Sequence, residues 1–167
     1  MPPTSGSDRG SFRICTEHCP VVSLRVATRE ELERFDMLDR QPHARTFVNQ
    51  TGLEQHQVNF ADPNITYLCI EREAGEFCAY FILVDEPGTA SVEFRRILID
   101  QHKRGVGQAA IAAMENYCKL HLAAQRIWLV VYEDNTIGMH IYKKLGYQRF
   151  KEEVVEGRIL YFYDKNV

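Results

Sequence analysis

The stretch from Val92 to Gly107 limits what this chain can fold into more than any other. It reads Val92-Glu93-Phe94-Arg95-Arg96-Ile97-Leu98-Ile99, then the polar, basic Asp100-Gln101-His102-Lys103-Arg104, then Gly105-Val106-Gly107. A β-rich run feeds a short loop, a Gly-x-Gly and about four turns of predicted helix, so strand and helix must pack as one α/β unit. Glycines at a loop-to-helix junction let backbone N–H groups approach a phosphate closely, and the helix N-terminus adds partial positive charge. The N–H groups of Lys103, Arg104, Gly105, Val106, Gly107 and Gln108 form the predicted cradle. Cations are disfavoured at a helix start, and an anion held there would relieve the conflict for Lys103 and Arg104. This is the chemistry of holding a pyrophosphate.

Two other phosphate motifs compete for the same residues. The Walker pattern needs Gly-Lys-Ser/Thr at its end, and Gly107 is followed by Gln108. The dinucleotide fingerprint is matched by Gly105-x-Gly107-x-x-Ala110, with Glu133 near the place of a ribose-binding acid. Against it, Asp100 to Arg104 separate the strand from the glycines, whereas that fingerprint follows its strand almost directly. Only 34 residues follow Glu133, too few for further βαβ units.

A second stretch, Asn135 to Tyr147, reads Asn-Thr-Ile-Gly-Met-His-Ile-Tyr-Lys-Lys-Leu-Gly-Tyr. Asn135 and Tyr142 are two helical turns apart on one face, and Gly146 is placed to end the helix. Together the two stretches resemble the GNAT superfamily of acetyl-CoA-dependent N-acetyltransferases. The first is similar to its CoA-pyrophosphate motif, Gln/Arg-x-x-Gly-x-Gly/Ala, and the second to its later motif, Asn-x6-Tyr-x3-Gly-Phe/Tyr. The family's Gln/Arg position falls on His102, with Gln101 and Arg104 nearby. The resemblance covers residues 21 to 165.

That resemblance implies a mixed α/β fold with a central, mostly antiparallel sheet of about seven strands, flanked by about four helices. The sheet is splayed between strands four and five, and acetyl-CoA enters the gap as cosubstrate. Its pantetheine arm would bond the backbone of Ile97, Leu98 and Ile99. Tyr142 would stand near the thioester sulfur as general acid, or else only pack on the sheet. Asn135 would touch the pantetheine arm while also capping its helix. Glu93, where many members carry a glutamate, would act as base through water, unless it is only an ion-pair partner for Arg95 or Arg96. The Glu93-Phe94 segment also resembles polyamine and ribosomal-protein acetylases.

The rest of the chain reads in the same order. Val21 to Ala27 alternates as a first strand, and Thr28 caps a helix running to about Arg40. His43 to about Phe60 reads as a second helix with a loop, and Asp62-Pro63-Asn64 as a turn. Strands follow at 65–72, 77–85 and 92–99. The main helix spans about 104–123, with Val106, Ala110, Met114, Tyr117 and Cys118 on its apolar side. Arg126 to Tyr132 is a fifth strand, whose Trp128-Leu129-Val130-Val131 run predicts burial on both faces. A helix over 135–145 and a hairpin of 148–155 with 158–164 close the chain. Residues 1–20 read as a flexible leader and 21–167 as the acetyltransferase domain.

Composition removes whole classes of function. Net charge is −3, which offers nucleic acid no basic field. No apolar run approaches the length of about 18 residues that a membrane span needs. Met1 to Gly10 lacks an apolar signal core, and five cysteines in no compact pattern read as reduced thiols; a cytoplasmic home is expected. Cys15, His18 and Cys19 lack a second ligand pair, so no metal site is predicted. The predicted activity is acetyl transfer from acetyl-CoA to a primary amine by direct attack. Small-molecule and protein amines both stay open, as does a homodimer. In the resemblance the acceptor site falls on roughly Asp39 to Phe60 and Glu152 to Arg158, with His43, Arg45, Gln50, Glu54, His56 and Gln57 giving mixed polarity. The alternative is a non-catalytic acyl-CoA-binding module of the same fold.

Overall fold

Strand alternation and helix signals translate into structure with few changes. The computed structural model describes residues 21–100 and 105–167. Lys103 and Arg104 of the predicted cradle therefore lie outside the described residues, as do Gln101 and His102 before them and residues 1–20 with Cys15, His18 and Cys19. In chain order the elements are β1 (Ser23–Val26), α1 (Leu32–Asp39), α2 (Pro42–Arg45), α3 (Leu53–Ala61), β2 (Ile65–Glu71), β3 (Phe77–Glu86), β4 (Ser91–Ile99), α4 (Gly107–His121), β5 (Arg126–Tyr132), α5 (Thr136–Lys144), β6 (Gln148–Val155) and β7 (Arg158–Asn166). A 3-10 turn at Arg29–Glu31 leads into α1, where the Glu31 carboxylate accepts from the Thr28 N–H at 2.8 Å.

The predicted second helix is two helices. Pro42 supplies the fixed φ that suits a first helical turn and starts α2. Gly52, at φ 81°, then takes the left-handed region that most residues avoid and reorients the chain before α3. The described residues thus hold five α-helices rather than about four.

The sheet runs β1-β2-β3-β4-β5-β7-β6. Every neighbouring pair is antiparallel except β4 and β5, which run parallel and pair only through Ser91–Glu93 and Arg126–Trp128. Beyond those residues the two strands separate. One face packs on α4 and α5 through Leu68, Phe81, Phe94, Ile111, Met114 and Ile127. The other packs on α1 to α3 through Leu32, Phe35, Leu38, Tyr67, Tyr80 and Leu98. Of the predicted apolar side of α4, Val106, Ala110, Met114 and Cys118 are buried, and Tyr117 packs partly buried at its edge.

The run in β5 is not buried on both faces. Ile127, Leu129 and Val131 are buried, while Trp128, Val130 and Tyr132 are half-buried. For Val130 and Tyr132 the separation from β4 is the reason, because it leaves them over an open cleft, while Trp128, where the strands still pair, stacks on Phe162. Strand β4 carries an irregularity with consequences for the site. Phe94 pairs with Leu83 and Arg96 with Ile82, so Arg95 is an extra residue, a β-bulge. Val92 and Phe94 face α4, and past the bulge so do Ile97 and Ile99. The added residue sets Arg95 and Arg96 on the same side as Glu93.

Candidate active site

Where β4 and β5 part, a cavity of about 650 Å³ opens. Its walls are Glu93–Ile97 of β4, Leu129–Tyr132 of β5, the α2–α3 loop from Phe47 to Thr51, Gln55 and Asn59 of α3, and Asn135, Tyr142 and Leu160. Four sequence-predicted residues line it, Glu93 and Ile97 from β4 and Asn135 and Tyr142 from α5. The cavity reaches from the α5 side of the sheet to the α1–α3 side through the gap.

Backbone hydrogen bonding sets the edge of the gap. The Asp100 N–H donates to Cys78 O at 2.8 Å, which makes Asp100 and Cys78 a hydrogen-bonded antiparallel pair. Alternation then turns the backbone groups of Leu98 toward β3 and those of Ile97 and Ile99 toward the gap. Exposed strand groups of this kind need partners. The Ile99 carbonyl has one in the His43 ring, whose Nε2 lies 2.9 Å away. An extended chain carrying amides, such as a pantetheine arm, fits the edge that Ile97 presents.

The glycine loop ends at the same edge. Gly105 sits at φ 87°, and a Cβ added at Gly107 would lie 3.4 Å from Ile99 Cδ1 and 3.8 Å from Ile141 Cδ1. Gly107 thus packs the start of α4 directly on β4 and α5. Among the described residues no side chain caps α4, and its first turn holds no acid. Its leading N–H groups, including those of Gly107 and Gln108, lack intrahelical acceptors, which suits a phosphate.

Asn135 caps α5, its Oδ1 accepting from the Gly138 N–H at 3.0 Å. A Cβ at Gly138 would stand 2.9 Å from that side chain, so the glycine makes the room for the cap. Gly146, at φ 94°, closes the helix with its N–H on Lys143 O, while the Tyr147 N–H reaches Tyr142 O. Tyr142 lies between Phe94 and Tyr147, its ring edge-on to both at centroid distances of 5.9 and 6.0 Å. Burial pushes its phenol up to about 12, so it is neutral and proton-bearing through physiological pH.

Glu93 makes an ion pair. Arg95 Nη2 bonds Glu93 Oε2 at 2.7 Å, and Arg95 Nε lies 3.2 Å from both oxygens. Arg96 turns instead into a buried polar network that the sequence did not disclose. Its Nη1 bonds Asp39 Oδ2 at 2.6 Å and Thr51 Oγ1 at 2.8 Å, and its Nη2 bonds Asn49 O at 2.8 Å. Asp39, 1% exposed, also accepts from the Tyr80 hydroxyl and pairs with His56 Nε2 at 3.0 Å. His56 Nδ1 meets the Tyr67 hydroxyl at 2.9 Å. Burial raises the Tyr80 phenol far above its ordinary range, which keeps it a donor. The network ties α1, α3, β2, β3 and β4 together and fixes the loop over the cavity. His56 is thus a core residue rather than part of the acceptor wall. Of the six polar residues expected there, Gln50 lines the cavity, while Arg45, Glu54 and Gln57 point elsewhere and His43 sits at the strand edge.

Comparison with known proteins agrees with this geometry. The sequence profile of the acetyltransferase (GNAT) family matches residues 26–147. A search of curated proteins finds no match. Among solved structures, a spermidine N-acetyltransferase from Vibrio cholerae in complex with CoA and spermine aligns with a TM-score of 0.77 at 17% identity, over 87% of this chain and 95% of that one. A protein of unassigned function from Bacillus halodurans aligns with a TM-score of 0.75 at 16% identity, over 95% of this chain and 91% of its own. At that identity these likenesses concern the fold.

Proposed function

This chain belongs to the GNAT acetyltransferase family, and from that premise we propose that it moves an acetyl group from acetyl-CoA to the nitrogen of a small-molecule primary amine by direct attack. One observation carries the reading. The parting of β4 and β5 makes a single cavity with Tyr142 on one wall and Glu93 on another, beside a strand edge and an uncapped helix start. The Vibrio cholerae relative in fold was captured with CoA and spermine, which supports a small amine as acceptor.

Acetyl-CoA, when bound, supplies an acyl carbon activated by a thiol leaving group. Ile97 offers a backbone edge to the arm, Gly105 to Gln108 offer donors to the phosphates, and Asn135 stands where the arm passes. A primary amine has a pKa of roughly 10 and must lose a proton before its lone pair can attack. Glu93 takes that proton through water. Tyr142 gives one to the departing sulfur, whose pKa as a free thiol is roughly 8.5. The thiolate leaves into the same desolvated surroundings that raise Tyr142, so the two proton affinities rise together. The N–C bond forms and the C–S bond breaks; the ammonium loses one proton before attack, which passes through water and Glu93 to solvent, and a second after attack, which balances the one gained by sulfur once Tyr142 is reprotonated.

A thermal-shift panel with acetyl-CoA, CoA, ATP and NAD is the test, followed by free-thiol release with amines. A ligand at 100 times its Kd adds about 2.7 kcal/mol, which is about 5–11 °C for a chain of this size. Stabilisation by the CoA species and thiol release on an amine are expected. Stabilisation without release on any amine makes the chain an acyl-CoA-binding module. Stabilisation by NAD alone removes both readings.

A further inference from the structure

The acceptor cavity has an unusual charge balance for a site expected to receive a cation. Among the described residues that line it, Glu93 is the one carboxylate, against Arg95 and Arg96. Arg96 is neutralised from behind by Asp39. Glu93 is already held by Arg95 through the 2.7 Å contact. A third arginine, Arg158, stands at the rim, its guanidinium 3.6 Å over the Tyr132 ring, its Nη1 on Thr46 O and its Nη2 paired with the Asp134 carboxylate at 3.0 Å. A polyamine would need a free carboxylate for each ammonium beyond the reacting one, and among the described residues Glu93, Asp39 and Asp134 are each already held by an arginine.

On the proposed reading that Glu93 receives the reacting amine, we infer that the acceptor is a small amine carrying an anionic group close to its nitrogen, an amino-carboxylate. An ammonium arriving at Glu93 displaces Arg95. That guanidinium, with a side chain 42% exposed, has room to turn. A carboxylate on the same small molecule gives it a replacement partner in bidentate geometry. The internal pair of one anion and one cation is exchanged for two intermolecular pairs, and no charge is left alone. Gln50 and Gln55, uncharged and on the same wall, each keep a second amide hydrogen beside their bonds to Asp39 O and Asn59 Oδ1, and can donate to an anion without adding charge.

The experiment compares kcat/KM, read by free-thiol release, for alanine and β-alanine against alaninamide and spermidine. The expected result is at least a tenfold preference for an amino-carboxylate over alaninamide, with spermidine poorest. Arg95→Gln should raise the KM for the carboxylate substrate and bring its advantage over alaninamide down to about one. Arg95→Lys should restore part of that advantage. Spermidine or alaninamide used as well as the amino-carboxylates, or an Arg95→Gln enzyme that turns over alaninamide and keeps the full preference, overturns the inference while leaving the acetyltransferase reading intact. No thiol release with any amine, in a protein that CoA stabilises, overturns both.

Discussion

Replacing Asp39 by Asn is the sharpest way to test how the acceptor wall is held. Asp39 is 1% exposed and receives Arg96, His56 and the Tyr80 hydroxyl on two oxygens. The amide keeps the size and one acceptor but removes the charge, so the Arg96 guanidinium, with a side chain 10% exposed, loses its counter-ion. Breaking a buried pair from one side costs about 3–5 kcal/mol. The lower end applies because Arg96 borders the cavity and can draw in water, so about 3 kcal/mol is expected. For a chain of this length that is a fall in Tm of about 6–12 °C. In urea, with an m-value of about 2 kcal/mol per molar, the midpoint should fall by about 1.5 M with m unchanged. Arg96→Met should cost a similar amount. Set against its own two single variants, Asp39→Leu and Arg96→Met, the double variant should recover about 2 kcal/mol relative to their sum, since the uncompensated charge is gone while the Tyr80 hydroxyl still lacks its acceptor. Arg96 also holds Asn49 and Thr51, so the KM for the amine should rise more than the KM for acetyl-CoA. A cost under about 1 kcal/mol, or single effects that simply add, would refute the account of this network.

Other perturbations test other parts. Tyr142→Phe should lower kcat by about 10²–10⁴. With the phenol pushed up to about 12, that deficit should stay level up to about pH 10; a deficit that fades by then contradicts the raised phenol, and wild-type turnover across the whole range removes Tyr142 as the acid. Glu31 is held down to about 2, first by its bond from Arg25 and also by the Thr28 N–H, so its stabilising contribution is complete above about 4.5 and is lost as pH falls toward 2. Glu31→Gln should therefore flatten the acid limb of a Tm-versus-pH curve, and an unchanged limb counts against the pair. Gly138→Ala loses a cap of about 1 kcal/mol but gains about as much helix propensity, so stability should hardly move. If Asn135 also serves acetyl-CoA, its displaced side chain should raise the KM for acetyl-CoA about fivefold; an unchanged KM leaves it a cap alone.

Local patterns carried most of the fold. Each of the seven strands was found at its expected place because alternation and turn residues act within a few positions. The Asn135 to Tyr142 spacing placed two cavity residues correctly on one helix because the helical period is fixed. The polar network was illegible for the opposite reason. Asp39, His56, Tyr67, Tyr80 and Arg96 lie on five elements, and each has an ordinary local reading. Tyr67 and Tyr80 pass as apolar strand residues, and His56 as one polar position in a helix. Their partnership exists only once the sheet brings them together. The exposed face of β5 escaped the sequence because an apolar run does not reveal that its neighbouring strand will turn away. The bulge at Arg95 left no signal beyond two adjacent arginines.

That bulge makes β4 a strand with two phases. Upstream of residue 95 the odd position Glu93 looks toward the acceptor; downstream the even positions Arg96 and Leu98 turn to the α1–α3 side, Arg96 bordering the cavity and Leu98 in the core, and the odd ones lie beneath α4. The two halves of one strand can therefore drift independently, the first toward a new acceptor and the second in support of the cofactor. Indels and substitutions at residue 95 are then different kinds of event. A new side chain there retunes what the pocket accepts, whereas losing the residue would leave Phe94 opposite Leu83 and Arg96 opposite Ile82 in regular alternation, keep the faces of everything that follows, and take from Glu93 its arginine partner.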